Sequence, residues 1–180
     1  VPPTPPTADA DPSDLPETGY NLLLGETLTL TGAASFDPAA ADFGDFVAWY
    51  RWDLNWVDGA PFVADITRQD QNSDAVEAVT PLNVQEMANF GLLNPGHYQV
   101  KLQVEDSTGQ TNFDTAPINI HPTTPIARFT MDANNIACGD RVTLDARSSY
   151  HPHPLIRIDS YLWDLDNDGQ YDDAEGPVVQ

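Results

Sequence analysis

Trp163-Asp164-Leu165-Asp166-Asn167-Asp168-Gly169-Gln170-Tyr171-Asp172-Asp173-Ala174-Glu175 is the stretch on which the reading of this chain turns. From Asp164 to Glu175 it sets six carboxylates (Asp164, Asp166, Asp168, Asp172, Asp173, Glu175) around Gly169, with no Lys or Arg among them. Confined to one folded loop, such carboxylates repel by roughly 1 to 4 kcal/mol per close pair, depending on how wet the site is, unless a cation sits between them.

Hard oxygens at alternate positions, then a Gly that permits a sharp turn, suit Ca²⁺; the string fits the EF-hand loop spacing D-x-D-x-D-G-x5-E, with Gln170 at its seventh position. The flanks speak against an EF-hand fold. The run Ile156-Arg157-Ile158-Asp159-Ser160-Tyr161-Leu162-Trp163 is β-branched and aromatic with period two, so it reads as a strand. On the exit side Gly176-Pro177-Val178-Val179 cannot continue a helix, because Pro177 lacks the amide and clashes with the preceding turn. The expectation is a calcium loop at the end of a β-strand, and without an exit helix to deliver Glu175 the better closing ligand is Asp172 or Asp173. The competing reading is a solvated acidic turn.

The net charge is −21, from 28 acidic residues against one Lys (Lys101) and six Arg. Such a charge argues against nucleic acid or an anionic membrane as a partner, both being polyanions, and for divalent cations. The chain is 41% hydrophobic, enough to build a core over 180 residues. No apolar run approaches the roughly 20 residues of a membrane span, and no basic segment followed by an apolar stretch marks a signal peptide in this piece. Cys138 has no partner for an internal disulfide and reads as a small buried hydrophobe at a strand edge. Extracellular modules bind calcium weakly, at the millimolar levels found outside cells, so the expected location is extracellular or at the cell surface.

Taken in order, residues 1–16 hold six prolines (Pro2, Pro3, Pro5, Pro6, Pro12, Pro16) among Thr, Ala and Asp and read as an extended linker. A pattern then begins that recurs. Gly25-Glu26-Thr27-Leu28-Thr29-Leu30-Thr31 lines up with Gly139-Asp140-Arg141-Val142-Thr143-Leu144-Asp145, and Ser35-Phe36-Asp37-Pro38 with Ser149-Tyr150-His151-Pro152. Tyr50-Arg51-Trp52-Asp53-Leu54-Asn55 lines up with Tyr161-Leu162-Trp163-Asp164-Leu165-Asp166. Two copies of one all-β domain account for this: residues 17–121, a short linker at 122–125, and a second, C-terminally incomplete copy at 126–180. In the first copy the acidic loop keeps Asp53, Asn55 and Asp58-Gly59 but carries Trp56 and Val57, which leaves open a weak cation site, helped by Asp37 from the neighbouring bend, or a structural turn.

Further along, strand-like pieces at Phe62–Thr67 and Ala75–Val79 precede a short helix, with Thr80 as N-cap, Pro81 in its first position and Gly91 as its stop. Tyr98, Val100, Leu102 and Val104 alternate with Gln99, Lys101 and Gln103, which describes a strand with one dry face. Asp106-Ser107-Thr108-Gly109 makes a hairpin turn and Thr111 to Ile120 returns. The second copy reaches Gln180 without a counterpart of that hairpin, which leaves an open edge able to accept another strand, including one from self-association.

These residues resemble the PKD (polycystic kidney disease-type) repeat, an immunoglobulin-like β-sandwich, in the longer form of large bacterial surface and secreted proteins. The likeness rests on G-E-T-L-T-L, the S-F-D-P bend, the Y-x-W-D-L strand and G-H-Y-Q-V-K-L-Q-V-E-D-S-T-G. It implies two tandem sandwiches acting as noncatalytic spacer or adhesion modules beside neighbouring repeats, with calcium at the bend and the W-D loop. By that likeness Asp164, Asp166, Asp168 and Asp172 or Asp173 form the site in the second copy and Asp37 with Asp53 the site in the first. His151 in place of the bend aspartate departs from the pattern, as does Trp56-Val57.

Two other roles compete: a subunit of a filament or surface layer completed by strand exchange, and a carbohydrate- or protein-binding accessory module in which Trp49 and Trp56 stack on a sugar. The four histidines are scattered and supply no nucleophile-and-base pair, so the chain does not read as an enzyme.

Overall fold

The structure is a computed structural model that describes residues 4–12, 19–71, 76–133 and 136–180. Pro2, Pro3 and Pro16 of the expected linker, and Ala75 of an expected strand, lie outside the described residues. The chain divides into two compact units, residues 1–121 and 122–180. The described part of the first unit contains the strands β1 (Tyr20–Leu23), β2 (Leu28–Thr31), β3 (Val47–Asp53), β4 (Ile66–Gln69), β5 (Val79–Leu82), β6 (Gly96–Asp106) and β7 (Thr111–His121).

The alternating run at Tyr98–Val104 forms β6, whose Val100, Leu102 and Val104 are fully buried. The turn expected at Asp106–Gly109 closes a hairpin with β7, and Gly109 there has φ +88°, a conformation natural to glycine. The hairpin sits at the heart of a five-stranded sheet in the order β1-β7-β6-β3-β4. Only β1 and β7 in this sheet run parallel. A second sheet pairs β2 with β5. Leu28 and Leu30 of β2 turn inward and Thr29 is exposed, as their alternation requires. Between the sheets Trp52, Tyr50, Leu28, Leu30, Leu102 and Ile118 make the centre of the core, so the fold is a β-sandwich.

Two expectations need correction here. Thr80 and Pro81 belong to β5, and the helix is shorter, Val84–Asn89. Its N-cap is Asn83, which accepts hydrogen bonds from Gln85 and Glu86 while the Glu86 carboxylate accepts from the Asn83 amide (2.8 Å). This capping box fixes the start of the helix and frees Thr80 to pair with Leu30. A second helical turn, Ala40–Phe43, follows the Asp37 bend.

The described part of the expected linker is not a linker. Pro6 and Ala10 are fully buried, and Ala8 packs on the core. Thr7 exchanges both backbone hydrogen bonds with Phe36 (2.8 and 3.1 Å). The Asp9 amide donates to Ser35 Oγ (2.9 Å), the Ala10 amide to the Asp114 carboxylate (2.8 Å) and the Tyr20 hydroxyl to the Ala10 carbonyl (2.8 Å). Proline permits this because an extended edge segment needs few amide donors, and Pro6, Ala8 and Ala10 fall on one phase of period two.

The second unit contains β8 (Thr130–Met131), β9 (Leu144–Asp145), β10 (Leu162–Trp163), β11 (Ala174–Glu175) and β12 (Val178–Val179), joined as β12-β9-β8 and β10-β11. The repeat seen in sequence recurs as pairing. Ile126 bridges Tyr150 as Thr7 bridges Phe36. Asp145 faces Val178 as Thr31 faces Val79, and Trp163 faces Ala174 as Trp52 faces Ile66. Ser149 Oγ accepts from the Arg128 amide and donates to its carbonyl, both at 2.9 Å, as Ser35 does with Asp9.

The strand expected over 156–163 is reduced to Leu162–Trp163, with none at 156–160. Its counterpart β3 is held from both sides, by β4 and β6, whereas β10 pairs only with β11 among the described residues. Cys138, expected to be buried, is exposed. No helix among the described residues is long and apolar enough to cross a membrane.

If residues 4–12 are part of the sandwich, enlarging a buried side chain there must strain it. Ala10→Leu is expected to cost about 1–3 kcal/mol in denaturant unfolding of the full chain. Thr4→Ala, at an exposed position, should stay within about 0.5 kcal/mol.

Candidate metal centre

Three segments converge at one end of the first unit: the bend after β2, the residues leading into β3, and the β6–β7 turn. They bring together Asp37, Asp45 and Asp106, each offering a carboxylate oxygen within 4.8 Å of the others. All three are buried, at 6%, 6% and 2% exposure. One oxygen of each is committed to the backbone or a hydroxyl. Asp37 Oδ1 accepts from the Ala39 amide (2.6 Å). Asp45 Oδ1 accepts from the Phe46 amide and the Ser107 hydroxyl. Asp106 Oδ1 accepts from the amides of Thr108 and Gln110 and the Thr108 hydroxyl (2.8–2.9 Å).

The remaining oxygens matter more. Asp37 Oδ2 and Asp106 Oδ2 are buried and have no hydrogen-bond partner among the described residues. A buried acceptor left unmade costs on the order of 1–3 kcal/mol, and more when charged. Burial is the main cause that pushes the Asp37 carboxyl above its ordinary 3.8; the Ala39 amide opposes it, and Asp45 and Asp106 add to the rise. A cavity of about 380 Å³ opens on Asp37 and Asp45, lined also by Ser35, Tyr50 and Asp70. Burial, with Asp70 and Glu77 nearby, pushes the Tyr50 hydroxyl up to about 12, so it stays a neutral donor. The donor set is hard, anionic and oxygen-only, which fits Ca²⁺.

Sequence reading singled out Asp37 of this triad and paired it with Asp53. The structure does not bring those two together, since Asp45 precedes β3 and Asp53 ends it, roughly 25 Å of extended chain apart. Asp53 instead accepts from the Val63 amide (2.8 Å), and Asp65 from the Leu54 amide (2.8 Å). Asn55 turns the chain at φ +57° and Asp58 is exposed; neither Asp53 nor Asp58 joins an acidic cluster among the described residues. Asp106 had a signal in the sequence: it continues the inward phase of Val100, Leu102 and Val104, so a carboxylate falls where an apolar side chain belongs.

In the second unit the W-D loop gathers Asp164, Asp166 and Asp173 within the same 4.8 Å. Asp164 accepts from the amides of Asp168 and Gly169 (3.2 and 3.0 Å) and Asp173 from those of Leu165 and Asp166 (2.6 and 3.1 Å). Gly169 at φ +88° and Asn167 at φ +62° wind the loop. Asp168 is held by Gln170, whose amide and side chain both donate to it (2.7 and 2.9 Å). Asp172 lies outside the cluster, and Glu175 is drawn into β11 opposite Leu162. The loop exits into a strand, which sends Glu175 away and brings Asp173 in.

A third cluster, Asp9, Asp11 and Asp114, was not anticipated because residues 9 and 11 fell in the expected linker. Burial, then Asp114 and Asp9, raises the Asp11 carboxyl.

One other expectation concerns the tryptophan rings. Trp49 and Trp56 are half-buried, and each already carries a cation: the Arg51 guanidinium at 5.1 Å and the Lys101 ammonium at 4.1 Å from the ring centre. His151 and His153 both accept backbone amides at Nδ1, from His153 and Leu155 (3.0 and 3.2 Å).

No family model and no curated protein sequence matches the chain. Among solved structures it is similar to the PKD domain of the KIAA 1837 protein, at 19% identity and a TM-score of 0.38, covering 64% of this chain and 86% of that one. It is also similar to a protein studied for the promiscuous specificity of carbohydrate-binding modules of the β-sandwich superfamily, at 19% identity and a TM-score of 0.43. That match covers 80% of this chain and 54% of the other, so the chain spans about half of its length.

The raised carboxyl of Asp37 carries a signed pH dependence. Its folded value lies above 3.8, so the folded chain holds that proton more tightly than the unfolded chain. In chelator, stability should therefore fall as pH rises from about 3.8 through the raised value. The difference between the wild-type and Asp37→Asn melting curves across pH isolates this contribution, and saturating Ca²⁺ should reverse its sign, because an ion held by Asp37 competes with that proton.

Proposed function

We propose that this chain is a noncatalytic, calcium-stabilised module of PKD-like β-sandwiches from an extracellular or cell-surface protein. It serves as a structural or adhesion segment beside neighbouring repeats. The observation that carries this reading is the buried Asp37–Asp45–Asp106 triad, with two carboxylate oxygens that have no partner among the described residues. Repulsion among three ionised carboxylates at this spacing amounts to several kcal/mol at an effective dielectric constant near 20. A divalent ion converts that cost into a clamp joining the β2 bend, the entry to β3 and the β6–β7 turn. Asp164, Asp166 and Asp173 would hold a second, more exposed ion that fixes the end of β10.

The extracellular placement follows from the chemistry of such sites. Few-carboxylate calcium centres of extracellular modules work at dissociation constants on the order of 10⁻⁴ to 10⁻³ M, concentrations met outside cells. A sugar-stacking platform is less well supported, because the faces of Trp49 and Trp56 are shared with Arg51 and Lys101 of the same sheet.

Calcium at a hundred times its dissociation constant should stabilise the folded chain by about 2.7 kcal/mol. For a unit of this size that raises the melting temperature by roughly 10 °C. Asp106→Asn keeps the turn acceptor Oδ1 while removing the charge, so in this variant the shift of the first unit should disappear with the fold retained. An unchanged calorimetric trace in Ca²⁺ and in chelator would overturn the reading.

A further inference from the structure

The matched loops after β3 and β10 each carry an Asp-Gly step, Asp58-Gly59 and Asp168-Gly169, and the sequence holds no other. Both steps are exposed, and both glycines stand at positive φ, +82° and +88°, with open space where a Cβ would stand. Asp-Gly is the dipeptide most open to attack by the backbone on its own side chain, because glycine adds no Cβ to hinder the approach. The two steps nonetheless differ in what holds the reacting groups.

At Asp168 both partners of such a reaction are tied down. Its two carboxylate oxygens accept from the Gln170 amide (2.7 Å) and the Gln170 side chain (2.9 Å), and the Gly169 amide donates to Asp164 (3.0 Å). The attacking nitrogen must shed its proton. Asp164 and Asp166, which also accept from the Asp168 amide (3.2 and 3.1 Å), place negative charge where that nitrogen would become anionic. At Asp58 neither hold exists. The turn there is closed by the Ala60 amide on the Val57 carbonyl (2.9 Å), while the Asp58 carboxylate and the Gly59 amide have no hydrogen-bond partner among the described residues.

We propose that Asp58 is a site of spontaneous isomerisation to isoaspartate, and that Gln170 and Asp164 protect the matched step at Asp168. The Gly59 nitrogen attacks Cγ of Asp58; a C–N bond forms, and the amide proton leaves with the hydroxyl of the protonated carboxyl as water, closing a cyclic imide. Water then adds at the backbone carbonyl and breaks its bond to nitrogen, so the chain runs through Cβ and the former backbone carbonyl carbon becomes a free carboxyl. One water leaves and one enters, and neither oxidant nor cofactor takes part. The product lengthens the turn by one backbone atom beside Trp56, whose indole donates to the Ala60 carbonyl (3.2 Å). The holds at Asp168 are hydrogen bonds within the chain, so the inference does not rest on a bound ion.

The test incubates the full folded chain at neutral pH and follows both steps by peptide mapping with a protease that cuts before aspartate but not before isoaspartate. Isoaspartate should accumulate at position 58 at least about tenfold faster than at 168, the factor set by one hydrogen bond to a charged group. Gln170→Ala, at an exposed position, should speed isomerisation at 168 at least about threefold and leave 58 unchanged. In urea, where neither hold survives, the two rates should converge. Equal rates in the folded chain, a difference that persists in urea, or an unchanged rate at 168 in the Gln170→Ala variant would each overturn the proposal.

Discussion

Pairing of β6 against β3 is the constraint on which the first unit depends. The ladder sets Leu102 opposite Trp52 and Val104 opposite Tyr50, so the two largest core side chains are covered by a strand that turns an apolar residue inward at every second position. A one-residue slip would put Gln103 and Lys101 into the core and Leu102 into water, so the register is enforced by the whole hydrophobic face. The same ladder fixes where β6 ends, and thereby delivers Asp106 beside Asp45.

That delivery explains why three carboxylates can be buried at all. Each comes from a different part of the sequence, and each is anchored by short-range bonds: Asp37 to Ala39, Asp45 to Phe46 and Ser107, Asp106 to Thr108 and Gln110. The turn amides satisfy one oxygen of Asp106 and leave the other where no donor of the described residues reaches. Core packing pays for an arrangement that is electrostatically unfavourable when all three carboxylates are ionised.

Much of this was legible in the sequence where the signal was local. The β6–β7 hairpin follows from period-two alternation closed by Asp-Ser-Thr-Gly, and the inward face of β2 from Leu28 and Leu30. The duplicated strands followed from matched strings, and the crowding of Asp164 and Asp166 from their spacing. What stayed hidden was set by distant partners. Residues 4–12 look like a linker because proline suppresses both helix and central strand, yet an edge segment anchored by Phe36, Asp114 and Tyr20 needs neither. The helix start moved to Asn83 because Thr80 was claimed by β2 across the sheet. Asp45 could not be joined to Asp37 from sequence, since nothing local says that the chain before β3 returns to the β2 bend.

The two units put their acidic clusters at opposite ends of the matched strand, and the substitutions between them say why. In the first, Asp37 and Asp45 meet Asp106 before β3 begins, while Trp56 and Val57 occupy the loop after it. In the second, His151 stands at the bend in place of Asp37 and accepts the His153 amide at Nδ1, so that end has lost its carboxylate. The loop after β10 instead carries Asp164, Asp166 and Asp173, wound by Asn167 and Gly169. A buried triad needs a hairpin to close over it, whereas a loop cluster builds itself from residues 164–173 alone. Among the described residues of the second unit the self-contained kind is the one found.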